Sequence, residues 1–287
     1  MTAKISTWLI TGASSGIGKA LALQALQAGH RVIGTSRDVS KAQKACPELS
    51  DRGVIWRQLD PGALDASEQF SKCVQDHPVD VLVNNAGYAF LGAVEDTSED
   101  EIRQQMEVNF YGPLRTVKAC LPAMRARGSG EIVLISSGAG FVARPSRSTY
   151  AASKFAIEAM HESLSREVSA FGIKVLIAEL GAFRTPFSAS IRTPAQYSST
   201  GGVSSTYEDT VVREVLSATH NMVARPNAVR GDPDKAARAI VQAVTGGHEF
   251  LRMPLGSDCL DAWEKKLGEL HGDLEATRAI AASTDVD

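Results

Sequence analysis

The sequence TGASSGIG at residues 11–18 joins two different patterns. The short apolar run at 8–10 is typical of a strand, and the pattern at 17–28 is typical of a helix. Gly12 permits a sharp exit from the strand, Gly16 permits close approach of the main chain to a phosphate, and Gly18 permits the helix to pack on the sheet. Unpaired N–H groups at the helix N-terminus then favour an anion. A glycine turn without phosphate is the alternative interpretation.

The turn belongs to the first strand-turn-helix unit, which is where a dinucleotide-binding sheet meets the pyrophosphate of its cofactor. A P-loop is excluded, since Lys19 follows the last glycine but Ala20 stands where a Ser or Thr would hold Mg²⁺. The residues that we expect to bind phosphate are Gly12, Ser14, Ser15, Gly16, Ile17 and Gly18.

Short β-branched runs alternate with longer helical patterns along most of the chain. Such alternation predicts βαβ units, and continuous apolar strands indicate a parallel sheet covered by helices on both faces. We therefore predict one α/β domain over residues 1–287, a Rossmann-type doubly wound sheet of about seven strands. The predicted strands lie at 8–10, 31–35, 54–59, 79–83, 131–136, 173–178 and 248–252, and the predicted helices at 17–28, 39–46, 64–76, 98–127, 149–171 and 233–245.

Two segments fall outside this alternation. Residues 187–231 form one long excursion that is rich in Ser and Thr, with a helical patch near 207–224 and a turn at 225–227, and we expect it to cover the site as a lid. From about residue 256 the chain predicts an amphipathic C-terminal helix. Its apolar residues recur at spacings of three and four, at Leu260, Trp263, Leu267, Leu270 and Leu274.

Composition excludes several classes of protein. With 44% hydrophobic residues and a net charge of -3, the 287-residue chain is typical of a soluble globular protein. The longest basic run is Lys265-Lys266, so nucleic acid is not expected as a partner, and no stretch of about 18 apolar residues could span a membrane. The cysteines show no metal-ligand spacing, which predicts reduced cytoplasmic thiols and no metal site. They are Cys46, Cys73, Cys120 and Cys259.

The end of the second strand bears on which nicotinamide cofactor is used. In dinucleotide-binding folds an acid at this point favours NAD, whereas an arginine favours NADP. Ser36 stands where the acid is expected, and Arg37 follows it, so a hydroxyl and a guanidinium are available to a 2′-phosphate. We therefore predict NADP(H). A slip of one residue would place Asp38 there and favour NAD.

Two further strand ends carry polar residues where the cofactor should cross the sheet. Asp60 follows the third strand, where its carboxylate could accept a hydrogen bond from adenine; a helix cap is the alternative. The fourth strand ends in Asn84-Asn85-Ala86-Gly87, of which we expect Asn85, Ala86 and Gly87 to contact the cofactor. A simple turn is the alternative here.

Tyr150 and Lys154 are the candidate proton-transfer pair. Their spacing of four residues places both on one helix face. A phenol with a pKa near 10 is a poor acid or base at neutral pH, and a nearby ammonium stabilises its phenolate. Ser137 ends the fifth strand and should meet them at the same sheet edge. A surface Tyr and Lys on an amphipathic helix is the alternative.

Asn109 is the fourth candidate catalytic residue. Pro113 lies four residues later and has no N–H to donate to the carbonyl of residue 109, so the helix should kink there. The freed carbonyl could hold a water molecule between bulk solvent and Lys154. A kink that serves only packing is the alternative.

The loop after the sixth strand supplies further candidates. Gly181, Phe183 and Thr185 are expected beside the cofactor, with Thr185 bonding the nicotinamide carboxamide or a phosphate oxygen; a helix cap is its alternative. Apolar residues here and in the lid predict a bulky hydrophobic substrate. The candidate walls are Phe141, Val142, Phe183, Phe187, Ile191, Tyr197, Met222 and Val223, with Ser137 and Tyr150 contacting the reacting oxygen.

Together these motifs resemble the short-chain dehydrogenase/reductase family. Its TGxxxGxG pattern is met at 11–18, NNAG at 84–87, and the Asn, Ser, YxxxK tetrad at Asn109, Ser137, Tyr150 and Lys154. The resemblance covers residues 5 to about 252. Within the family, the chain looks most similar to retinoid and steroid dehydrogenases and to ketoreductases. The chain departs from the family at Leu180, where proline usually precedes glycine, and at Pro61.

The resemblance implies hydride transfer between nicotinamide and a carbonyl or alcohol, with Tyr150 as proton donor. NADPH favours reduction, so a ketoreductase is expected. Reduction of an imine or enone, and a non-catalytic NADP-binding regulator, are the alternatives. Family members commonly pair through the helix that bears the tyrosine, so we expect a homodimer or homotetramer. Small residues that would permit close helix contact are Ala152, Ala156, Ala159 and Ser163.

Overall fold

Seven parallel strands form one sheet in the computed structural model, which describes residues 5–63, 65–224 and 229–286, without the side chains of 223 and 224. The strand order is β3-β2-β1-β4-β5-β6-β7, which confirms the predicted doubly wound fold. Because the order reverses between β1 and β4, a crevice opens at the carboxyl ends of these strands. The strands are β1 (Thr7–Ile10), β2 (Arg31–Ser36), β3 (Ile55–Gln58), β4 (Val81–Asn84), β5 (Gly130–Ser137), β6 (Ile173–Leu180) and β7 (Arg252–Leu255).

Helices cover both faces of the sheet. A π-helical segment, Glu107–Tyr111, joins α5 to α6. In the part of the chain that the structure describes, none of the helices is both long and apolar enough to cross a bilayer. The helices are α1 (Gly16–Gln27), α2 (Val39–Ala45), α3 (Pro47–Asp51), α4 (Ala66–Asp76), α5 (Glu99–Met106), α6 (Gly112–Arg127), α7 (Ser148–Val168), α8 (Val211–Ala224), α9 (Pro233–Gly246) and α10 (Ser257–Ala282).

Strand β1 shows why the apolar runs are continuous. Trp8 and Ile10 pack in the core beneath α1 and α9, whereas Leu9 packs on the opposite face with Phe70 of α4 and Val117 of α6. Alternate side chains of one strand therefore enter two different cores. A strand buried on both faces needs apolar residues at every position.

The seventh strand lies at Arg252–Leu255, so its predicted position at 248–252 was wrong. His248 is instead held before the strand, where Nε2 lies 2.6 Å from Glu131 Oε1 and Nδ1 lies 2.7 Å from the Phe250 carbonyl. Pro254 is tolerated within β7 because this strand forms the edge of the sheet.

The excursion at 187–231 is fastened to the loop that follows β4. The Arg192 N–H donates to the Ala89 carbonyl (2.9 Å), and the Leu91 N–H donates to the Arg192 carbonyl (2.8 Å). Farther along, the Ser204 N–H donates to Asp96 Oδ2 (3.0 Å). The predicted turn at 225–227 lies outside the described residues.

Candidate active site

The glycine turn between β1 and α1 is a narrow cradle. Gly12 has φ +67° and Gly16 has φ +53°, both in the region where a side chain is strained. A Cβ on Gly18 would lie 2.4 Å from the Gly12 carbonyl oxygen. Each glycine is thus required by backbone geometry or by close approach of the helix to the strand end.

Thr11 and Asn85 tie this turn to the end of β4. Thr11 Oγ1 accepts the N–H groups of Asn85 (2.9 Å) and Ala86 (3.0 Å). In return, Asn85 Nδ2 donates to the carbonyls of Thr11 (2.8 Å) and Gly12 (3.1 Å). The Asn85 side chain therefore braces the turn. Thr11 was not among the predicted site residues, although its position directly before Gly12 is a visible signal.

The residues around α1 fit the pyrophosphate of a dinucleotide. The helix begins at Gly16, its preceding Ser15 makes no side-chain capping hydrogen bond in the described structure, and its first turn carries no acidic residue. Thr185 lies across from Gly16, where an added Cβ would be 3.4 Å from the Thr185 Cβ. An anion at this helix end would meet unpaired N–H groups and a positive dipole.

The three polar residues after β2 have different partners. Ser36 Oγ donates to the Asp38 carbonyl (3.0 Å), and Asp38 Oδ1 accepts the Lys41 N–H (2.8 Å). Asp38 therefore caps α2. Arg37 is exposed and forms no ion pair within the described part of the chain.

Asp60 and its neighbour Pro61 shape the turn after β3. Asp60 Oδ1 accepts the Gly62 N–H (3.0 Å), and since α4 begins only at Ala66, this carboxylate stabilises the turn and caps no helix. The Pro61 carbonyl accepts Arg115 Nη1 (2.9 Å). Pro61, which departs from the family pattern, thus contacts α6 and not the candidate proton-transfer residues.

Helix α7 places Tyr150 and Lys154 against the sheet edge, and both are buried. Burial raises the pKa of Tyr150, while the Ser137 hydroxyl and the Arg147 charge oppose that rise. Lys154 Nζ donates to the Ile135 carbonyl (3.0 Å) and lies 6.0 Å from the centroid of the Tyr150 ring. Burial lowers the pKa of Lys154 to about 8, although the Glu158 charge opposes this shift.

Ser137 is the last residue of β5 and faces Leu180 of β6 in the sheet register. Its Oγ accepts the Ala139 N–H (3.2 Å), which fixes the hydroxyl at the strand end. Leu180 is buried, and the loop that follows is held by α10, since Asp258 Oδ2 accepts the Ala182 N–H (2.8 Å). Here the usual proline of the family is absent, and side-chain contacts with α10 hold the loop.

Asn109 lies inside the π-helical segment. The Gly112 N–H donates to the Glu107 carbonyl, five residues earlier, at the place where Pro113 was expected to disturb the helix. The Asn109 side chain is fully engaged: Oδ1 accepts the Tyr88 N–H (3.2 Å), while Nδ2 donates to the Tyr88 carbonyl (3.0 Å) and Ser153 Oγ (3.1 Å). This amide therefore joins the loop after β4 to helix α7.

Comparison with known proteins agrees with this geometry. Residues 6–196 match the short chain dehydrogenase family. The chain belongs to this family. Its members are oxidoreductases that bind nicotinamide cofactors.

Three similar proteins illustrate the relationship. Oxidoreductase claN of Passalora fulva is 46% identical over 190 residues, 66% of this chain and 87% of that protein. The 3-ketodihydrosphingosine reductase of Bacteroides thetaiotaomicron is 40% identical over 183 residues, 62% of this chain and 64% of that protein. A short-chain dehydrogenase structure from Streptomyces avermitilis has 36% identity and a TM-score of 0.84, covering 99% of this chain and all of that one.

The expected substrate walls of this short-chain dehydrogenase lie in different places. Phe187 has its ring centroid 6.3 Å from that of Tyr150, and Ile191 packs against the small cluster of Ala89, Ala139 and Tyr150. Phe141 instead stacks on Trp263 of α10 with centroids 4.3 Å apart. Met222 is exposed on α8.

The remaining wall candidates have other surroundings. Phe183 packs in the core beneath α1 and α9 and is bridged to Gly231. Val142 donates its N–H to the Gly138 carbonyl (2.8 Å), and Tyr197 lies in a short helical turn of the excursion. The side chain of Val223 lies outside the described structure.

A buried pair of carboxyl groups, which no sequence motif indicated, lies on helix α7 and strand β6. Glu158 lies one turn beyond Lys154, and Glu179 lies on β6; both are almost fully buried. Ser136 Oγ donates to Glu158 Oε1 (2.5 Å), and Trp263 Nε1 donates to Glu179 Oε2 (2.6 Å). Arg252 Nε lies 3.6 Å from one carboxylate and 3.4 Å from the other.

The surroundings of this pair favour the protonated form of both carboxyl groups. Burial raises the pKa of Glu158, and burial together with the Glu158 charge raises the pKa of Glu179 to about 8. Glu179 Oε1 is buried and has no hydrogen-bond partner among the described residues. A proton shared between the two carboxyls supplies that missing hydrogen bond.

Glu179→Gln is expected to flatten the pH dependence of stability. Because the folded-state pKa of Glu179 is raised from 4.5, its stabilising contribution is complete below about pH 4.5 and is lost as the pH rises to about 8. The amide mimics the protonated acid, so Tm at pH 9 should rise by roughly 2–4 °C for each kcal/mol recovered. Thermal unfolding between pH 5 and 9 measures this. The exposed Glu167→Gln serves as control, and parallel pH profiles for the wild type and Glu179→Gln would contradict the prediction.

Proposed function

We propose that this short-chain dehydrogenase is an NADP(H)-dependent ketoreductase that acts on a bulky hydrophobic ketone. The observation that carries the proposal is the group formed by the buried Tyr150 and Lys154 and the half-buried Ser137 at the carboxyl edge of the sheet. The Ser137 hydroxyl and neighbouring charges act on the Tyr150 phenol, and Lys154 Nζ lies 6.0 Å from the centroid of its ring. A packing role alone would not require a phenol, an ammonium and a hydroxyl in one place.

The nicotinamide supplies the hydride when it is bound. Ser137 and Tyr150 hydrogen-bond the substrate oxygen, and the Tyr150 hydroxyl gives it the proton as the carbonyl becomes an alcohol. Lys154, as an ammonium, stabilises the resulting phenolate and binds ribose hydroxyls. The Asn109 carbonyl holds a water molecule that returns a proton through Lys154.

The cofactor would be held by the cradle at 11–18 and by the strand ends beside it. The glycine geometry, the open N-terminus of α1 and Thr185 suit the pyrophosphate. Asn85 supports the cradle through its side chain, Ala86 lies beside Gly12, and Gly87 lies next to the Asn109 side chain. The expected contacts of Ile17, Asp60, Gly181 and Phe183 remain proposals.

NADP is favoured over NAD by the end of β2. The Asp38 carboxylate is engaged in capping α2, whereas the Arg37 guanidinium is exposed beside the Ser36 hydroxyl. A phosphate at this end would gain charge-assisted hydrogen bonds from Arg37. Asp38 therefore does not take the ribose-binding position that favours NAD, and Arg37 keeps its predicted role toward the 2′-phosphate.

Arg37→Ala is expected to raise the Kd for NADPH by roughly 10–100-fold, because a hydrogen bond to a charged group contributes about 1.5–3 kcal/mol. The Kd for NADH, which lacks the 2′-phosphate, should change little. Fluorescence titration of both cofactors gives the two values. Lys44→Ala, which removes an exposed cation from the last turn of α2, should leave both unchanged. An unaltered preference in Arg37→Ala would remove the argument for NADP.

The substrate class rests on Phe187 and Ile191, which present apolar surface to Tyr150. The printed name of one relative, 3-ketodihydrosphingosine reductase, supports reduction of a ketone on a hydrophobic molecule. We infer that the excursion at 187–231 acts as the lid over this surface. Its attachment at Ala89 and Leu91, beside the candidate site, agrees with that role.

Incubation with NADPH and a panel of ketones, imines and enones tests the function. Formation of secondary alcohols from bulky apolar ketones is the expected result. Turnover of imines or enones alone would show that the protein catalyses a different reduction. Cofactor binding without any turnover would contradict the proposal that the protein is an enzyme.

We also propose that the protein is a homo-oligomer that pairs through α7. Ala152, Ala159 and Ser163 are exposed on this helix, and Ala156 is half-buried. Phe155 adds an exposed aromatic ring to the same helix. Small residues flanking an aromatic ring would allow a second helix to approach closely.

A further inference from the structure

Helix α10 leaves the body of the protein after its first turns. Cys259 is its only buried residue, and Trp263 still contacts the body through Phe141 and Glu179. From Leu267 to the last described residue, every side chain is exposed. Leu267, Leu270 and Leu274 are exposed by 49%, 42% and 54% of their surfaces.

The exposed part of α10 has little stability of its own. The helical residues 267–282 only just exceed the length of about 12–15 below which isolated helices are marginal in water, and glycine is one of the least favourable residues in a helix. Gly268 and Gly272 both lie in this part, and a Cβ on either would meet no described atom within 4 Å. A partner that covered its apolar residues would therefore stabilise this part of the helix.

The apolar residues form one seam with heptad spacing. Leu260, Trp263, Leu267, Leu270 and Leu274 follow one another at intervals of three, four, three and four residues. This alternation fills the a and d positions of a two-stranded coiled coil. A globular core helix would be covered by its own domain throughout, whereas here the domain covers Trp263 and leaves the seam open from Leu267 onward.

The charges on α10 argue against a membrane surface as the occupant of the seam. The helix carries six acidic and three basic residues. Helices that lie on anionic bilayers are rich in Lys and Arg on their polar face. Another protein helix is therefore the better match.

The charges beside the seam are complementary to those of a second copy in the antiparallel direction. With Leu267 opposite the partner's Leu270, Lys266 comes opposite the partner's Asp273, and Glu264 opposite the partner's His271. Each pair occurs twice by symmetry. In the parallel direction Lys266 would instead face the partner's His271, so an acid no longer neutralises it.

We propose that α10 pairs in the antiparallel direction with α10 of a second copy of this chain, through the exposed part of the seam from Leu267 to Leu274. The pairing leaves the first turn in place, where Asp258 holds the loop after β6. Lys266 is available for this pairing. Its ion pair with Glu269 within the chain, at 3.8 Å, is on the surface and contributes little stability.

The mass of the full-length protein in solution tests the proposal. Leu267→Glu/Leu270→Glu is expected to halve the mass measured by light scattering, whether the wild type is a dimer or a tetramer. The control Ala276→Glu/Ala279→Glu adds the same charges outside the seam and should keep the wild-type mass. A monomeric wild type at 100 µM, or an unchanged mass in the leucine variant, would overturn the pairing.

A charge exchange tests the direction and does not alter the leucines. Lys266→Asp alone should weaken association at least tenfold in sedimentation equilibrium, and Lys266→Asp/Asp273→Lys should restore it. In a parallel pair the exchange would instead bring Lys at 273 against the partner's Arg278 and weaken association further, which would overturn the antiparallel arrangement. Should the leucine variant fail to fold, as judged by circular dichroism, this exchange decides alone. Binding of monomers to phosphatidylglycerol vesicles would overturn pairing in favour of a membrane.

Discussion

Tyr150→Phe is expected to lower kcat for ketone reduction by roughly 10²–10⁴-fold, the usual contribution of a positioned proton donor. The loss should appear mainly in kcat, because the phenyl ring keeps the packing of Tyr150 with Ala89, Ala139 and Ile191. NADPH affinity should change only a few-fold. Steady-state oxidation of NADPH at 340 nm, together with a fluorescence titration of the cofactor, measures both quantities.

Tyr111→Phe is the matched control for this variant. Tyr111 lies at the end of the π-helical segment and is exposed, so loss of its hydroxyl should leave kcat unchanged. Near-full turnover by Tyr150→Phe would contradict the assignment of Tyr150 as proton donor. Loss of turnover in both variants would indicate a general effect on the fold.

The parallel sheet was predictable because the local sequence pattern of each central strand matches its burial in the fold. Each residue of β1 is buried, so the strand reads as an unbroken apolar run, and the turn after it needs glycine for steric reasons that the sequence displays directly. The last strand was misplaced because β7 is at an edge, only partly buried, and contains Pro254. An edge strand carries a weaker pattern than a central one.

Partners that are distant in sequence could not be predicted. Trp263 donates a hydrogen bond to Glu179, which lies 84 residues earlier in the sequence, and Phe141 stacks on Trp263 although the two are even farther apart in the sequence. Neither contact has a local spacing that a sequence pattern could reveal. The sequence therefore indicated that Phe141 is apolar, but the tertiary fold determined that α10 is its neighbour.

The same reasoning separates the candidate site into two parts. The spacing of Tyr150 and Lys154 on α7 is local, and the sequence predicted that they share a face. Glu158 continues that face by one more turn, yet only the fold brings Glu179 to it and makes the pair proton-binding. The charge of Glu158, which acts on Lys154, thus depends on a residue of β6 that no local pattern connects with α7.

Lys154→Met is expected to lower kcat by roughly 10²–10³-fold, comparable to the loss of one preorganised donor at a developing negative charge. The lysine ammonium stabilises the phenolate that forms when Tyr150 gives up its proton, and methionine cannot. Lys118→Met, which changes an exposed lysine of α6, is the control and should retain wild-type kcat. Similar rates for Lys154→Met and the wild type would exclude a catalytic charge at this position.

The pH dependence of the rate identifies that charge more sharply. Since burial lowers the pKa of Lys154 to about 8, its ammonium fraction falls as the pH rises through 8, and the reductase rate of the wild type should fall with it. Lys154→Met lacks this group, so its residual rate should show no inflection near pH 8. Lys154→Arg keeps a charge whose pKa lies far above 8, so it should regain part of the rate and move the alkaline limb upward. Profiles of kcat from pH 6 to 10 measure all three, and an unshifted limb in Lys154→Arg would assign the inflection to another group.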